Sequence, residues 1–217
     1  MRGGTGTAIL VALLLAGSGR ADAQEPEMRE QESPRRVSIL VGTGFNLPMA
    51  HLAAEATAQD GFARPGITIT FRGYIPLTAT LDGMVDLALP RFKVDNDRFQ
   101  RVTNMNIQEA FYQGKVLSLG ARWTGYRASW GRAFLIASGG MYQLIYDRFE
   151  EGIQVVTDGA FRLGGAVGAG LQYDFELVDA DLSIRYHRFT DTGNFGLGDL
   201  SWLEIGASLV LPVGGGG

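Results

Sequence analysis

The stretch whose reading decides the fold runs from Phe161 to Phe175, FRLGGAVGAGLQYDF. Its odd positions are Phe161, Leu163, Gly165, Val167, Ala169, Leu171, Tyr173 and Phe175, and its even positions are Arg162, Gly164, Ala166, Gly168, Gly170, Gln172 and Asp174. A helix would scatter the two sets around its surface, whereas a strand puts them on opposite faces. One face is then apolar and the other small and polar, over a length that matches a membrane-crossing strand of ~10 residues.

The same period of two recurs outward along the chain. Val37, Ile39 and Val41 alternate with Ser38 and Gly42; Ile67, Ile69 and Phe71 alternate with Thr68, Thr70 and Arg72. Leu81, Val85, Leu87 and Leu89 oppose Asp82 and Asp86; Leu117, Leu119, Ala121 and Trp123 oppose Ser118, Gly120, Arg122 and Thr124. Leu182, Ile184 and Tyr186 oppose Asp181, Ser183, Arg185 and His187, and Leu203 to Leu211 alternates in the same way with Glu204, Gly206 and Ser208. Residues 132–146 are strand-like with ambiguous faces. Eight strands result, joined by long segments (46–65, 93–114, 147–158, 190–199) alternating with tight turns (75–79, 127–131, 176–180). That alternation is the plan of an eight-stranded antiparallel up-and-down transmembrane β-barrel with short periplasmic turns and longer outer loops.

Composition decides which face meets which solvent. Of 217 residues 31 are Gly, about twice the ~7% average, and they crowd the polar face. Small residues suit the narrow interior of an eight-stranded barrel, so the Leu, Val, Ile and aromatic face is the lipid side. A soluble two-sheet sandwich would expose that Gly-rich face instead. Aromatics near strand ends (Phe45, Tyr74, Phe92, Trp123, Tyr126, Trp130, Tyr146, Phe161, Phe175, Phe189, Trp202) are expected to form the interfacial girdles.

The ends read separately. Arg2, the apolar run from Ala8 to Ala16 and Ala21-Asp22-Ala23 have the layout of a cleaved signal peptide over 1–23. Nine apolar residues are too few to span a membrane as a helix, which needs ~20. Residues 24–35 are a charged N-terminal arm, 36–213 the outer-membrane barrel and 214–217 a glycine tail. The absence of Cys excludes thiol chemistry and disulfides, the presence of only His51 and His187 excludes a three-His metal site, and a net charge of −4 argues against nucleic acid. No cofactor or metal is expected; Asp95-Asn96-Asp97 lacks the spacing of a calcium loop. The expected surroundings are outer-membrane lipid and lipopolysaccharide, for a monomer delivered by the outer-membrane assembly machinery.

Eight charged residues fall on the lumen face: Arg72, Arg122, Arg162 and Arg185 against Asp82, Asp86, Asp174 and Glu204. Buried charges must be paired, so an interior ion-pair network is expected, either as a plug or as a selectivity filter. His187, with Glu204 on the neighbouring strand, is the one candidate for acid–base chemistry.

With signal peptide, alternating strands and the segments GAVGAGLQYDF and ADLSIRYHRFTDTGNF, the chain resembles small outer-membrane β-barrel proteins of the opacity/OmpA-like type. That resemblance implies a non-enzymatic surface or envelope role: structural support, adhesion, or ligand binding through the long loops. The frame IRYHRFTDTGNFGLGDLSWLE is also similar to that of outer-membrane lipid A deacylases, which implies as an alternative an acyl hydrolase whose site would be His187, Thr190 and Glu204. The departures are that Arg188 holds the family's His position and Thr190 its Ser position. Another departure is the missing aromatic at the end of the last strand, which reads Leu211-Pro212-Val213. A passive small-solute channel is a further alternative.

Overall fold

A computed structural model describes residues 37–57, 60–150, 152–175, 178–191 and 198–213. The leader, arm and glycine tail expected at the ends lie outside them, as does most of the 190–199 loop. The described residues form nine strands: β1 (Val37–Met49), β2 (Ala63–Pro76), β3 (Leu81–Val94), β4 (Glu109–Ala128), β5 (Gly131–Glu150), β6 (Ile153–Asp158), β7 (Arg162–Asp174), β8 (Asp179–Asp191) and β9 (Gly198–Val213). Two helices, α1 (Ala50–Ala53) and α2 (Asn96–Thr103), lie in the first two long connections. All pairing is antiparallel. Each barrel strand pairs with the next, and β1 pairs with both β2 and β9, so eight strands close on themselves and leave no edge along the barrel. No helix is long and apolar enough to cross a membrane among the described residues; the strands do the crossing.

The ninth strand is a departure from the expected loop at 147–158. β5 runs on beyond the barrel wall to Glu150, and β6 folds back on it from Ile145↔Asp158 to Glu150↔Ile153. Gly152, with φ +83°, sits at the reversal, in a backbone region that side chains disfavour.

The outward positions carry the exposed apolar side chains: Ile67, Ile69 and Phe71 on β2, Val85, Leu87 and Leu89 on β3, Leu182 and Ile184 on β8, Ile205 and Leu209 on β9. On β3 the band ends where Arg91 and Lys93 take the next outward positions, both exposed. From Leu81 to Leu89 a tilted strand rises roughly 20 Å, close to the ~25 Å apolar band of such barrels.

The aromatics divide in a way that the girdle expectation missed. Phe45, Trp123, Tyr126, Trp130, Phe161 and Phe175 are exposed, but Tyr74, Phe92, Tyr146, Phe189 and Trp202 are buried inside the barrel. Their even or odd position along the strand, not their nearness to its end, fixes the side they take. Residues 132–146 gave ambiguous faces for a different reason, that the lumen side is itself apolar there. Phe134, Ile136, Tyr142 and Leu144 point inward, Leu135 and Met141 outward, so both faces are apolar.

The interior is layered. Toward the turn end, Leu40, Met84, Phe134, Ile136 and Val210 pack around Tyr74. At the loop end a larger apolar cluster joins barrel positions such as Phe92, Val116 and Trp202 to Leu52 of α1, Phe99 of α2, and Phe62 and Ile107 of the connections. Phe62 and Phe99 meet edge to face with centroids 5.3 Å apart. The first two long connections are therefore folded down as a lid that shares an apolar core with the barrel's upper end. Asp95 begins α2 by accepting the Arg98 backbone N–H at 3.1 Å and pairs with Arg64; Asn104, at φ 59°, closes the helix in the left-handed conformation. Asp95 is thus a helix cap, which is what its Asp-Asn-Asp setting serves.

Candidate functional site: the charged lumen and the outer rim

Between the two apolar clusters lies the first of two buried charge groups. Asp86, fully buried on β3, accepts Arg72 Nε at 3.0 Å through one oxygen and Arg185 Nη2 at 2.7 Å through the other. Arg185 Nη1 also lies 3.9 Å from Glu204. The register explains the grouping: Arg72↔Asp86 and Arg185↔Glu204 are direct cross-strand pairs, and Asp86 reaches across the lumen to join them. A second group lies nearer the turn end. Arg122 donates to Asp82 through Nε at 3.0 Å and Nη2 at 2.8 Å, and through Nη1 to Gln172 at 2.9 Å. Its guanidinium also covers the Tyr74 ring at 3.8 Å.

Six of the eight charged residues expected in the lumen thus form two buried groups. The other two do not join them. Asp174 is half-exposed at the turn-end rim, where it accepts Arg132 at 3.0 Å, and Arg162 sits at the opposite end of β7, half-buried. Asp181, buried on the polar face of β8 and 3.9 Å from Arg122, belongs to the second group, with Gln172. The sequence signal for both was their even or odd position on β8 and β7, which matches that of Arg185 and Arg162.

Small residues make room for these layers. A Cβ on Gly44 would lie 2.8 Å from Glu204 Cγ, and one on Gly164 would lie 2.6 Å from Phe189 Cβ and 2.7 Å from Tyr142 Cδ2. Larger residues there would push the lumen side chains apart.

The three residues considered for hydrolysis do not come together. His187 is fully buried in the lumen, stacked on Trp202 at 4.7 Å, with Tyr142 Oη 3.3 Å from Nδ1 and Glu204 3.6 Å from Nε2. Thr190 is on the outside of the barrel, where its hydroxyl donates to Asp199 Oδ1 at 2.7 Å and Arg188 pairs with the other Asp199 oxygen. The carboxylate beside Thr190 is therefore Asp199, directly across the strand pair, and not Glu204. His51 is more than half-exposed on α1, 4.0 Å from Asp60.

No protein-family model matches this sequence, and no curated protein matches it. Solved structures do match. Neisserial surface protein A has a TM-score of 0.58 at 13% identity, over 82% of this chain and 97% of that one. Ail, the attachment invasion locus protein of Yersinia pestis, has a TM-score of 0.50 at 13% identity, over 81% and 98%. At such identities the likeness is one of architecture: the chain has the fold of the small eight-stranded outer-membrane β-barrels.

Proposed function

We propose that this protein is a sealed, non-enzymatic outer-membrane barrel that works through its outward-facing lid. The observation that carries this is the filled interior. Two buried ion-pair groups and two apolar clusters occupy the lumen, and the connections bearing α1 and α2 are packed onto the upper cluster, which leaves their outer surfaces as the face offered to a partner. Eight strands also enclose a space that side chains fill. Arg91, Lys93 and Lys115, exposed just beyond the apolar band on β3 and β4, suit the phosphates of surrounding lipopolysaccharide. That one structural neighbour is named for attachment and invasion is in keeping with an adhesive role.

The test has two parts. Urea-washed outer membranes should yield a band that migrates fast unboiled and slows on boiling, and the purified barrel should give no steady conductance in planar bilayers. Replacing residues 95–108 by a short Gly-Ser turn should then abolish attachment of expressing cells to a surface while leaving the gel shift intact. A conductance altered by Arg122→Gln would favour a channel. The hydrolytic reading has less in its support, because His187 and Thr190 face opposite sides of the wall.

A further inference from the structure

The lipid-facing wall carries a groove of about 840 Å³ across β4, β5, β7 and β8, within the ~300–1,000 Å³ range of small-molecule sites. Its floor is a row of direct cross-strand neighbours: Leu119↔Gly139, Gly139↔Gly165 and Gly165↔Arg188. Two outward glycines thus lie side by side, with Leu163, 83% exposed, standing over them on one flank and Val167 and Tyr186 on the other. Glycine weakens a strand and offers lipid nothing to pack against, so a pair of them inside a barrel wall marks a place of close approach. Neither is forced by the backbone, since their φ values are not positive.

The groove has a direction. Three interstrand steps of ~4.8 Å make it roughly 14 Å long. At one end Arg188 and Thr190 lie at the extracellular edge of the apolar band, with Asp199 beside them. At the other end Leu119 lies two outward positions below Lys115, the outward-facing charge next above it on β4, and so deeper in the hydrocarbon. The trough descends from a polar mouth into the outer leaflet.

We propose that this trough holds one acyl chain of a phosphorylated outer-leaflet lipid, with a phosphate at Arg188. An occupant of the floor must be apolar and narrow, and its head must suit an exposed cation. Arg188 gives one guanidinium nitrogen to Asp199, and its fork carries five donors in all, enough for a phosphate as well. A second copy of the chain fits less well: a two-fold pairing would set one concave trough against another and leave a void without contacts. The inference rests on the barrel being membrane-embedded, which the heat shift on a gel tests by itself.

The experiment is native mass spectrometry of the delipidated full-length barrel, titrated with bis-phosphorylated lipid A, its dephosphorylated form and phosphatidylethanolamine. One lipid A per barrel is expected to survive activation. Gly139→Leu fills the floor, and a Cβ there meets only the Gly164 carbonyl oxygen at 3.7 Å, so the variant should keep its heat shift and lose retention at least tenfold. Ala137→Leu serves if it does not. Arg188→Gln should weaken lipid A about tenfold and leave the dephosphorylated form unchanged. Retention by Gly139→Leu equal to wild type overturns the proposal, as does a wild type that holds no lipid, or a dimer that Gly139→Leu abolishes.

Discussion

His187 and Thr190 stand three residues apart on β8 and lie on opposite sides of the barrel wall. His187 stacks on Trp202 in the lumen, rings 7° from parallel, while Thr190 donates to Asp199 outside. An odd separation along a strand always divides two side chains in this way, and a base must reach its nucleophile to activate it. Thr190→Val and His187→Gln should therefore leave the acyl-chain number of lipid A in expressing cells unchanged by mass spectrometry. A loss of acyl chains in wild type that Thr190→Val prevents would overturn this.

Asp86 holds two arginines at once, so its removal leaves two buried cations short of an anion. Breaking a buried pair from one side costs about 3–5 kcal/mol. Asp86→Ala should lower the urea midpoint of the barrel by an amount of that order in a detergent or vesicle titration. Asp174→Ala, which frees only a rim pair with Arg132, should shift it by less than about 1 kcal/mol. Equal effects from the two variants would mean that the lumen pairs are no better shielded from water than the rim.

The barrel was legible because membrane strands leave a period of two that survives without relatives, and because tight and long connections alternate. What could not be read was the third dimension of the lumen. Asp86 meets Arg185 from 99 residues away across the interior, and no linear pattern encodes which lumen residue faces which. Trp202 and Phe189 lie near strand ends yet point inward, since their even or odd position outweighs their nearness to the interface. Strand β6 was hidden in a segment expected to be loop, because IQVVTD pairs above the membrane, where no apolar band enforces alternation. The outward pair Gly139–Gly165 was visible only once register was known.

The lid should loosen in acid. Burial pushes the Asp95 carboxyl up, but the Arg98 backbone N–H, Arg64 and Arg101 outweigh it and hold the group below the usual carboxylate range. Stability from that charge is complete above the unfolded value of ~3.9 and is lost as pH falls through the lower folded value. Asp95→Ala should destabilise α2 by about 1 kcal/mol at neutral pH, seen as faster proteolysis at residues 96–108. In acid the two proteins should converge, because wild type has then lost the same charge. A difference that persists unchanged after the carboxyl is protonated in the folded protein would place the effect in packing rather than in the carboxylate.

Gly139 and Gly164 give the sharpest contrast between the two faces of one wall. Methyl groups differ in consequence there because the interior is full and the exterior is not. On Gly164 a Cβ would lie 2.6 Å from Phe189 Cβ, and no backbone-fixed Cβ can move away cheaply; on Gly139 it would meet one carbonyl oxygen at 3.7 Å, an ordinary contact. Gly164→Ala should therefore cost about 1–3 kcal/mol of overpacking strain, whereas Gly139→Ala should be near neutral or slightly stabilising. Urea titration of both variants in the same vesicles checks the difference. If Gly164→Ala proves neutral, the Tyr142–Phe189 stack above it, at 5.4 Å between centroids, is looser than its geometry implies, and the upper lumen has space to give.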